Sequence, residues 1–204
     1  MKIDKKLNLV TNITREDGST VYLHVTPFPY EVVEEYCVLL GNLFTNFITQ
    51  IGPLGSARVA AMMLKKRLRQ EQDARLEALK EDGKSLSELP KSLTIVDEIQ
   101  RLTVVIHNVG GQWKTTPLEV AFNQGIIDPD EYREVEGEVV FFMVSSAIQK
   151  ASLIAPTVGT VIKMYDGQLT SSSVTAYRDS LQTSKPDTDT PTQNAPPETS
   201  FIPS

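Results

Sequence analysis

Two stretches near the start of the chain alternate apolar and polar residues. Positions 5–13 place leucine and isoleucine at every second or fourth residue, and positions 21–25 repeat this alternation with Val21, Leu23 and Val25. A period of two is typical of strands with one covered face, and the intervening Asp17-Gly18 pair tolerates the positive φ of a tight turn. The pattern therefore predicts an N-terminal β-hairpin.

Apolar residues three or four positions apart predict helices in the following segments. The first runs from Pro29 through Gln50, the motif at 52–55 breaks it, and Ser56 caps a second helix that continues to Lys80. The spacing from Leu93 to Ile106 predicts a third helix. The β-branched residues at its end, Thr103–Ile106, make a strand an alternative there.

Two later motifs have the form of helix starts. Thr116-Pro117-Leu118-Glu119 and Asp128-Pro129-Asp130-Glu131 each combine a capping residue, a proline and a glutamate three residues after the cap. The second motif introduces the apolar stretch 135–148, which predicts a helix buried on most sides, with Gly137 indicating a close packing neighbour. Ser171–Ser173 is predicted to cap a last short helix that ends near Leu181.

These elements predict a mainly α protein with an N-terminal β-hairpin, an α+β class. Residues 1–182 form the predicted hairpin and helical domain. Residues 183–204 are rich in Ser, Thr and Pro, and are predicted to form a disordered tail because they offer too little apolar surface to offset the entropy lost on ordering.

Charge and cysteine content limit the classes of partner and compartment. The formal net charge of -6 disfavours nucleic acid and acidic membranes, and no apolar run has the length of a membrane helix. The basic run Lys65–Arg69 is followed at once by acidic residues and contains no aromatic residue, which indicates a salt-bridged face or a partner-docking arm. The lone Cys37 excludes an internal disulfide, so a cytoplasmic location is expected.

Candidate catalytic and metal-binding residues are few. His24 is predicted on the polar face of the hairpin and His107 at a helix end, and neither has a metal-ligand spacing from Cys37. Cys37 is predicted to act as a small hydrophobe, Gly110-Gly111 to form a turn, and the carboxylates at 134–138 to lie on a solvated surface. The sequence therefore predicts no enzyme active site and no cofactor.

Several segments together resemble the tail assembly chaperones of long-tailed (siphovirus-type) bacteriophages, a group diverged from the lambda-type chaperone. The resemblance is carried by Leu7–Val10 with its Asp17-Gly18 turn, Arg58–Leu64, Glu98–Thr103, Trp113, Pro117–Glu119 and Val139–Phe142. It implies a protein that binds the long helical tape-measure protein, keeps it from aggregating and recruits tail-tube subunits. Those subunits and the tape-measure protein are the implied partners, in the host cytoplasm, and a homo-oligomer is compatible with this role.

An apolar groove that accepts a partner helix would suit such a role. We predict that Phe44, Phe47, Met62 or Met63 lines it, methionine being adaptable toward varied partners. The alternative is that all four belong to the core. The other functions considered are a structural virion protein of the tail or head-tail connector and a nucleic-acid-binding regulator that uses Lys65–Arg69.

Overall fold

The computed structural model describes residues 6–81 and 94–183. These ranges form a mixed α+β fold with an antiparallel sheet of five strands in the order β4-β3-β2-β1-β5. The strands are β1 (Asn8–Thr14), β2 (Thr20–Val25), β3 (Thr103–Val109), β4 (Gln112–Pro117) and β5 (Gln168–Thr170). The helices are α1 (Tyr30–Glu35), α2 (Cys37–Asn46), α3 (Gly52–Glu81), α4 (Ile95–Arg101), α5 (Leu118–Asn123), α6 (Pro129–Ile148), α7 (Ala151–Lys163) and α8 (Val174–Thr183). A π-helix, Phe47–Ile51, joins α2 to α3.

The N-terminal hairpin is confirmed. Strand β1 pairs antiparallel with β2, and the turn between them contains Gly18 at φ 80°. The Arg15 amide donates to the Ser19 carbonyl at 2.9 Å, and the Ser19 amide donates to the Asp17 carboxylate at 2.8 Å. The turn is therefore specified by residues next to it in sequence.

The predicted third helix, 93–106, is wrong in its second half, where the strand that its β-branched residues left open is present. A helix is present only from Ile95 to Arg101, and Thr103–Val109 is strand β3, which pairs with β2 on one side and β4 on the other. The β-branched residues of this segment favour a pleated surface. Pairing of Val105 with Leu23 adds this strand to the N-terminal hairpin. The sheet is consequently larger than the predicted hairpin. Gly110 and Gly111, both at positive φ, form the predicted turn between β3 and β4.

Both predicted helix starts are confirmed, but only the second has the predicted side-chain cap. At α6 the Asp128 carboxylate accepts from the Asp130 amide at 2.7 Å, and the Glu131 carboxylate accepts from the Asp128 amide at 2.8 Å. Thr116, in contrast, lies within β4 and caps nothing, and α5 begins at Leu118 without a side-chain cap. Sheet pairing of Thr116 with Val105 takes precedence over its local capping tendency.

The predicted helix from Pro29 to Gln50 is interrupted. It breaks at Tyr36, where ψ is 15°, and it changes to a π-helix at Phe47 before Gly52 turns the chain at φ 76°. Ser56 does not cap the next helix, which already begins at Gly52. The Ser56 hydroxyl instead lies 2.9 Å from the Phe47 carbonyl oxygen and 2.8 Å from that of Gly52, so its single proton can be donated to either of two carbonyl oxygens at the junction.

Helix α6 is buried on most sides, as predicted, and it lies between the sheet and α3. Its closest contact is at Gly137, where an added Cβ would stand 2.2 Å from the Ala57 carbonyl oxygen. Ala57, Ala60 and Ala61 are buried on the facing side of α3. The small side chains allow the two backbones to approach, which confirms the close neighbour predicted for Gly137.

Helix α8 covers the face of the sheet opposite α6. The ring of Tyr177 lies 6.0 Å from that of Tyr22 and 6.5 Å from that of His24, centroid to centroid. The last short helix is thereby confirmed, although it extends through Thr183, one residue into the predicted tail. The rest of that tail, 184–204, lies outside the described residues.

Candidate functional site

The four predicted groove residues lie in different surroundings. Phe47 is fully buried and its ring lies 5.8 Å from that of Phe141, so it belongs to the core and lines no surface. Phe44 and Met63 are partly buried and pack against the core. Met62 is exposed, at 60%.

A surface groove of about 460 Å³ lies between α2 and α3, and Met63 is part of its lining. The wall on α2 is uncharged and includes Asn42 and Thr45, whereas the wall on α3 includes Lys66 and Arg67. Met63 and the neighbouring Met62 were predicted from the sequence, whereas the polar wall on α2 was not. Both walls are helical, and grooves between two helices are a recurrent site for a partner helix.

The exposed side of α2 and the π-helix carries no charge. No Asp, Glu, Lys, Arg or His occurs between Tyr36 and Ala57, although 23% of the chain is charged. Val38 and Ile48 are exposed on this stretch, at 73% and 45%. Among the residues of this stretch whose burial the structure describes, we call the exposed ones the uncharged face; they are Cys37, Val38, Asn42, Thr45, Ile48 and Thr49.

The two threonines of the uncharged face already use their hydroxyl protons. The Thr45 hydroxyl donates to the Gly41 carbonyl at 2.9 Å, and the Thr49 hydroxyl donates to the Thr45 carbonyl at 2.8 Å. Covering a group whose donor is satisfied internally costs less than covering a free donor. A partner can therefore exclude water from these two hydroxyls at a small desolvation cost.

The groove's positive rim contrasts with the net charge of the whole chain. Lys66 and Arg67 are exposed beside the groove, and the Arg67 guanidinium lies 4.0 Å from the Glu71 carboxylate. Lys65 points to the other side of α3, where it forms a 2.6 Å ion pair with Glu136 on α6. Within the basic run, Lys65 therefore holds α3 to α6, whereas Lys66 and Arg67 form the accessible rim of the groove.

The two histidines lie where they were not predicted. His24 is buried rather than exposed because α8 covers its face of the sheet, and its Nε2 donates to the Ser172 carbonyl at 3.0 Å. His107 lies in β3, not at a helix end, and its Nε2 is 3.1 Å from the Thr116 hydroxyl. Burial lowers the pKa of both side chains, and the charges of Lys114 and Arg15 lower that of His107 further.

Cys37 and one carboxylate also depart from expectation. Cys37, predicted to act as a small hydrophobe, is exposed at the first residue of α2. Glu134 is on the surface as predicted, but Glu138 is buried beneath β1, where its Oε2 accepts from the Thr11 hydroxyl at 3.0 Å. Burial, opposed by that hydrogen bond and assisted by the charge of Asp166, raises the pKa of Glu138 to about 7.

A second cleft, of about 520 Å³, lies on the α8 side of the sheet at the start of that helix. Its lining is Lys6, Asn8, His24, Thr26, Ser171, Ser173 and Val174. Asn8 donates to the same Ser172 carbonyl as His24, at 3.0 Å, so the polar groups at its base hold the β5–α8 connection. These residues are far apart in sequence, and no motif indicated that they meet.

Comparisons with known proteins give no information on function, so the groove and the uncharged face are the main observations that bear on it. No family model, curated protein or solved structure matches the chain. Among residues 6–81 and 94–183, no group of three His, Cys, Asp or Glu side chains is placed to hold a metal ion. Within the same ranges, no helix combines the length and hydrophobicity needed to cross a membrane.

Proposed function

We propose that this protein is a binding protein of the assembly-chaperone type, which holds a helical segment of another polypeptide in the groove between α2 and α3. The observation that carries the proposal is the uncharged face beside that groove. The cores of protein interfaces are depleted of charge, whereas exposed helix faces are normally charged. Binding, and not catalysis, is the function that this surface supports.

The groove favours a particular kind of partner. Its α2 wall is polar but uncharged, so an apolar ridge would meet no charge there, and Met63 supplies an adaptable, polarisable contact. Lys66 and Arg67 on the opposite rim attract carboxylates. An amphipathic helix with an apolar ridge and an acidic flank matches both walls.

We infer that the partner is a tape-measure protein. The resemblance to tail assembly chaperones implies a very long helical partner, which would aggregate if its apolar ridge were left bare in the host cytoplasm. Covering successive segments of that ridge keeps it soluble until tail-tube subunits assemble around it. The same resemblance makes the tail-tube protein a second partner.

Thr45→Glu should abolish most capture of tape-measure fragments, with at least a tenfold loss of affinity. The substitution places a carboxylate on the uncharged wall of the groove, where a bound apolar ridge would leave it desolvated and unpaired. Co-purification of the variant with tape-measure fragments from the same phage, followed by titration calorimetry, measures the loss.

The matched control is Thr160→Glu. Thr160 is an exposed helical threonine whose hydroxyl donates to the carbonyl four residues earlier, as that of Thr45 does, but it lies on α7 outside the groove lining. It should bind as the wild type does. Equal capture by both variants, with both correctly folded, would remove the groove from the proposal.

A chaperone leaves before the phage tail is complete, whereas a structural subunit stays in the particle. Mass spectrometry of purified virions should find the protein absent or scarce. Stoichiometric copies in the particle would contradict the chaperone proposal and favour a virion protein of the tail or connector.

A further inference from the structure

The segment that follows α7 is attached to the rest of the fold by few contacts. Strand β5 pairs with β1 over three residues, and none of the residues of α8 whose burial the structure describes, 174–181, is buried. This segment crosses the sheet face that carries Tyr22 and His24. We call residues 168–183 the strap. Elements with so little buried surface open at a lower free energy than the whole fold.

The turn that leads into the strap rests against a buried carboxyl group. Its two residues are Asp166, at φ 62°, and the buried Gly167, whose amide donates to the Ile162 carbonyl at 3.0 Å. A Cβ added to Gly167 would lie 3.2 Å from Oε2 of Glu138 on α6. The backbone of the turn therefore lies directly against this carboxyl.

The surroundings of Glu138 do not compensate a buried negative charge. On β1, the neutral Thr11 hydroxyl donates to it at 3.0 Å, and α2 carries no charge. Lys65 of α3 is paired with another carboxylate of α6, and Lys163 of α7 is exposed. Among the described residues, the charge that acts on Glu138 is that of Asp166, which has the same sign.

Ionisation of Glu138 is therefore costly while the turn is closed. Burial is the main cause that raises its pKa, to about 7, and the charge of Asp166 adds to it. Lifting the turn would let water reach the carboxylate and would move Asp166 away from it. The neutral carboxyl gains nothing from such a movement, so the two protonation states favour different positions of the turn.

We propose that Glu138 is a proton-controlled latch for the strap. While the carboxyl is neutral, the turn packs on it and the strap stays on the sheet. Once the carboxyl is ionised, the turn lifts more often, and the strap uncovers the face of Tyr22 and His24. The latch goes beyond the proposed function and shares no residue with the groove between α2 and α3.

Hydrogen exchange followed by mass spectrometry tests the latch at pH 6 and pH 8.5. Protection factors, which correct for the pH dependence of the chemical exchange rate, report how often each segment opens. Closure is strongest below pH 4.5 and is lost as the pH rises through 7. With these two pKa values, the lifted fraction should rise about tenfold between the two conditions, so the protection of strap amides should fall about tenfold.

Strand β3 provides the internal reference for the size of the opening. It lies in the middle of the sheet, between β2 and β4, so its amides exchange only when much of the fold opens. At both pH values the strap should be less protected than β3. This comparison separates lifting of the strap from unfolding of the whole domain.

Three variants separate the latch from a general effect of pH. Glu138→Gln should give strap protection that is the same at both pH values. Asp166→Asn removes the opposing charge but keeps a residue that tolerates positive φ, so its fall should be smaller than that of the wild type. Glu134→Gln, an exposed carboxyl on the same helix, should fall tenfold as the wild type does. His24 beneath the strap titrates in all of them, so its contribution is the one that Glu138→Gln retains.

Any of three results would overturn the latch. They are wild-type strap protection that does not change with pH, a tenfold fall that persists in Glu138→Gln, and a strap as well protected as β3, which would mean that it lifts only when the domain unfolds. Should Glu138→Gln fail to fold, Asp166→Asn decides, because an unchanged tenfold fall in that variant contradicts the role of the opposed carboxylates.

Discussion

Replacing Gly137 by alanine is expected to destabilise the fold by about 3 kcal/mol or more, the upper range for overpacking a tight core. The added methyl group would lie 2.2 Å from the Ala57 carbonyl oxygen and 3.0 Å from that of Arg58. Both obstacles are backbone atoms of α3, so no side-chain rotation relieves the contact. Helix α3 has to move away from α6, which opens the central packing of the fold. Urea unfolding followed by circular dichroism measures the loss.

Gly41→Ala is the matched control for Gly137→Ala. Gly41 is also inside a helix, but nothing lies within 4 Å of its added Cβ. Alanine should therefore raise stability there by up to about 1 kcal/mol through helix propensity. If the two substitutions had the same effect, α3 and α6 would not approach each other at Gly137 as described.

Features governed by neighbouring residues were predictable from the sequence. The Asp17-Gly18 turn and the Asp128 capping motif depend on hydrogen bonds to residues two to four positions away. Such contacts form whatever the rest of the chain does. Gly137 was predictable too, because glycine inside a buried helix is costly unless a close neighbour requires it.

Features governed by distant pairing were not settled by the sequence. The segment after Arg101 has helical spacing but β-branched residues, which left helix and strand both open, and pairing with β2 and β4 decides for the strand. His24 was assigned to a solvated face because α8, which covers it, comes from about 150 positions farther along the chain. Sequence periodicity reports that a face is apolar or polar, but not what a remote segment places over it.

The same limit applies to the groove. Phe47 and Met62 both fit the apolar pattern of their helices, yet one is fully buried and the other exposed. The change from α-helix to π-helix at Phe47 alters which side of the chain faces the core, and no rule of 3.6-residue spacing anticipates it. The absence of charge from Tyr36 to Ala57 was visible in the sequence and was the signal that reasoning from apolar spacing left unused.

Glu138→Gln should flatten the dependence of stability on pH between about pH 5 and pH 8. Burial raises the pKa of Glu138 to about 7, above its ordinary value of 4.5, so the folded protein holds this proton more tightly than the unfolded chain does. The resulting stability is present below pH 4.5 and is lost as the pH rises through 7. At 1.36 kcal/mol per pKa unit, the wild type should lose roughly 2 to 3 kcal/mol from this carboxyl.

The neighbours of Glu138 explain why the glutamine is tolerated. The Thr11 hydroxyl can donate to an amide oxygen as it does to the carboxylate, and the charge of Asp166 no longer opposes a buried negative charge. The measurement is the difference in unfolding free energy between variant and wild type at pH 5 and at pH 8.

Comparing this difference at two pH values removes the contributions of other groups. The lowered pKa values of His24 and His107 affect the stability of wild type and variant alike, so they cancel. Glu134→Gln, an exposed carboxyl on the same helix, should give the same small difference at both pH values. If Glu138→Gln also gave the same difference at both pH values, the wild-type Glu138 carboxyl would be hydrated in the folded protein. The packing of α6 beneath β1 would then have to be looser than the Thr11 contact implies.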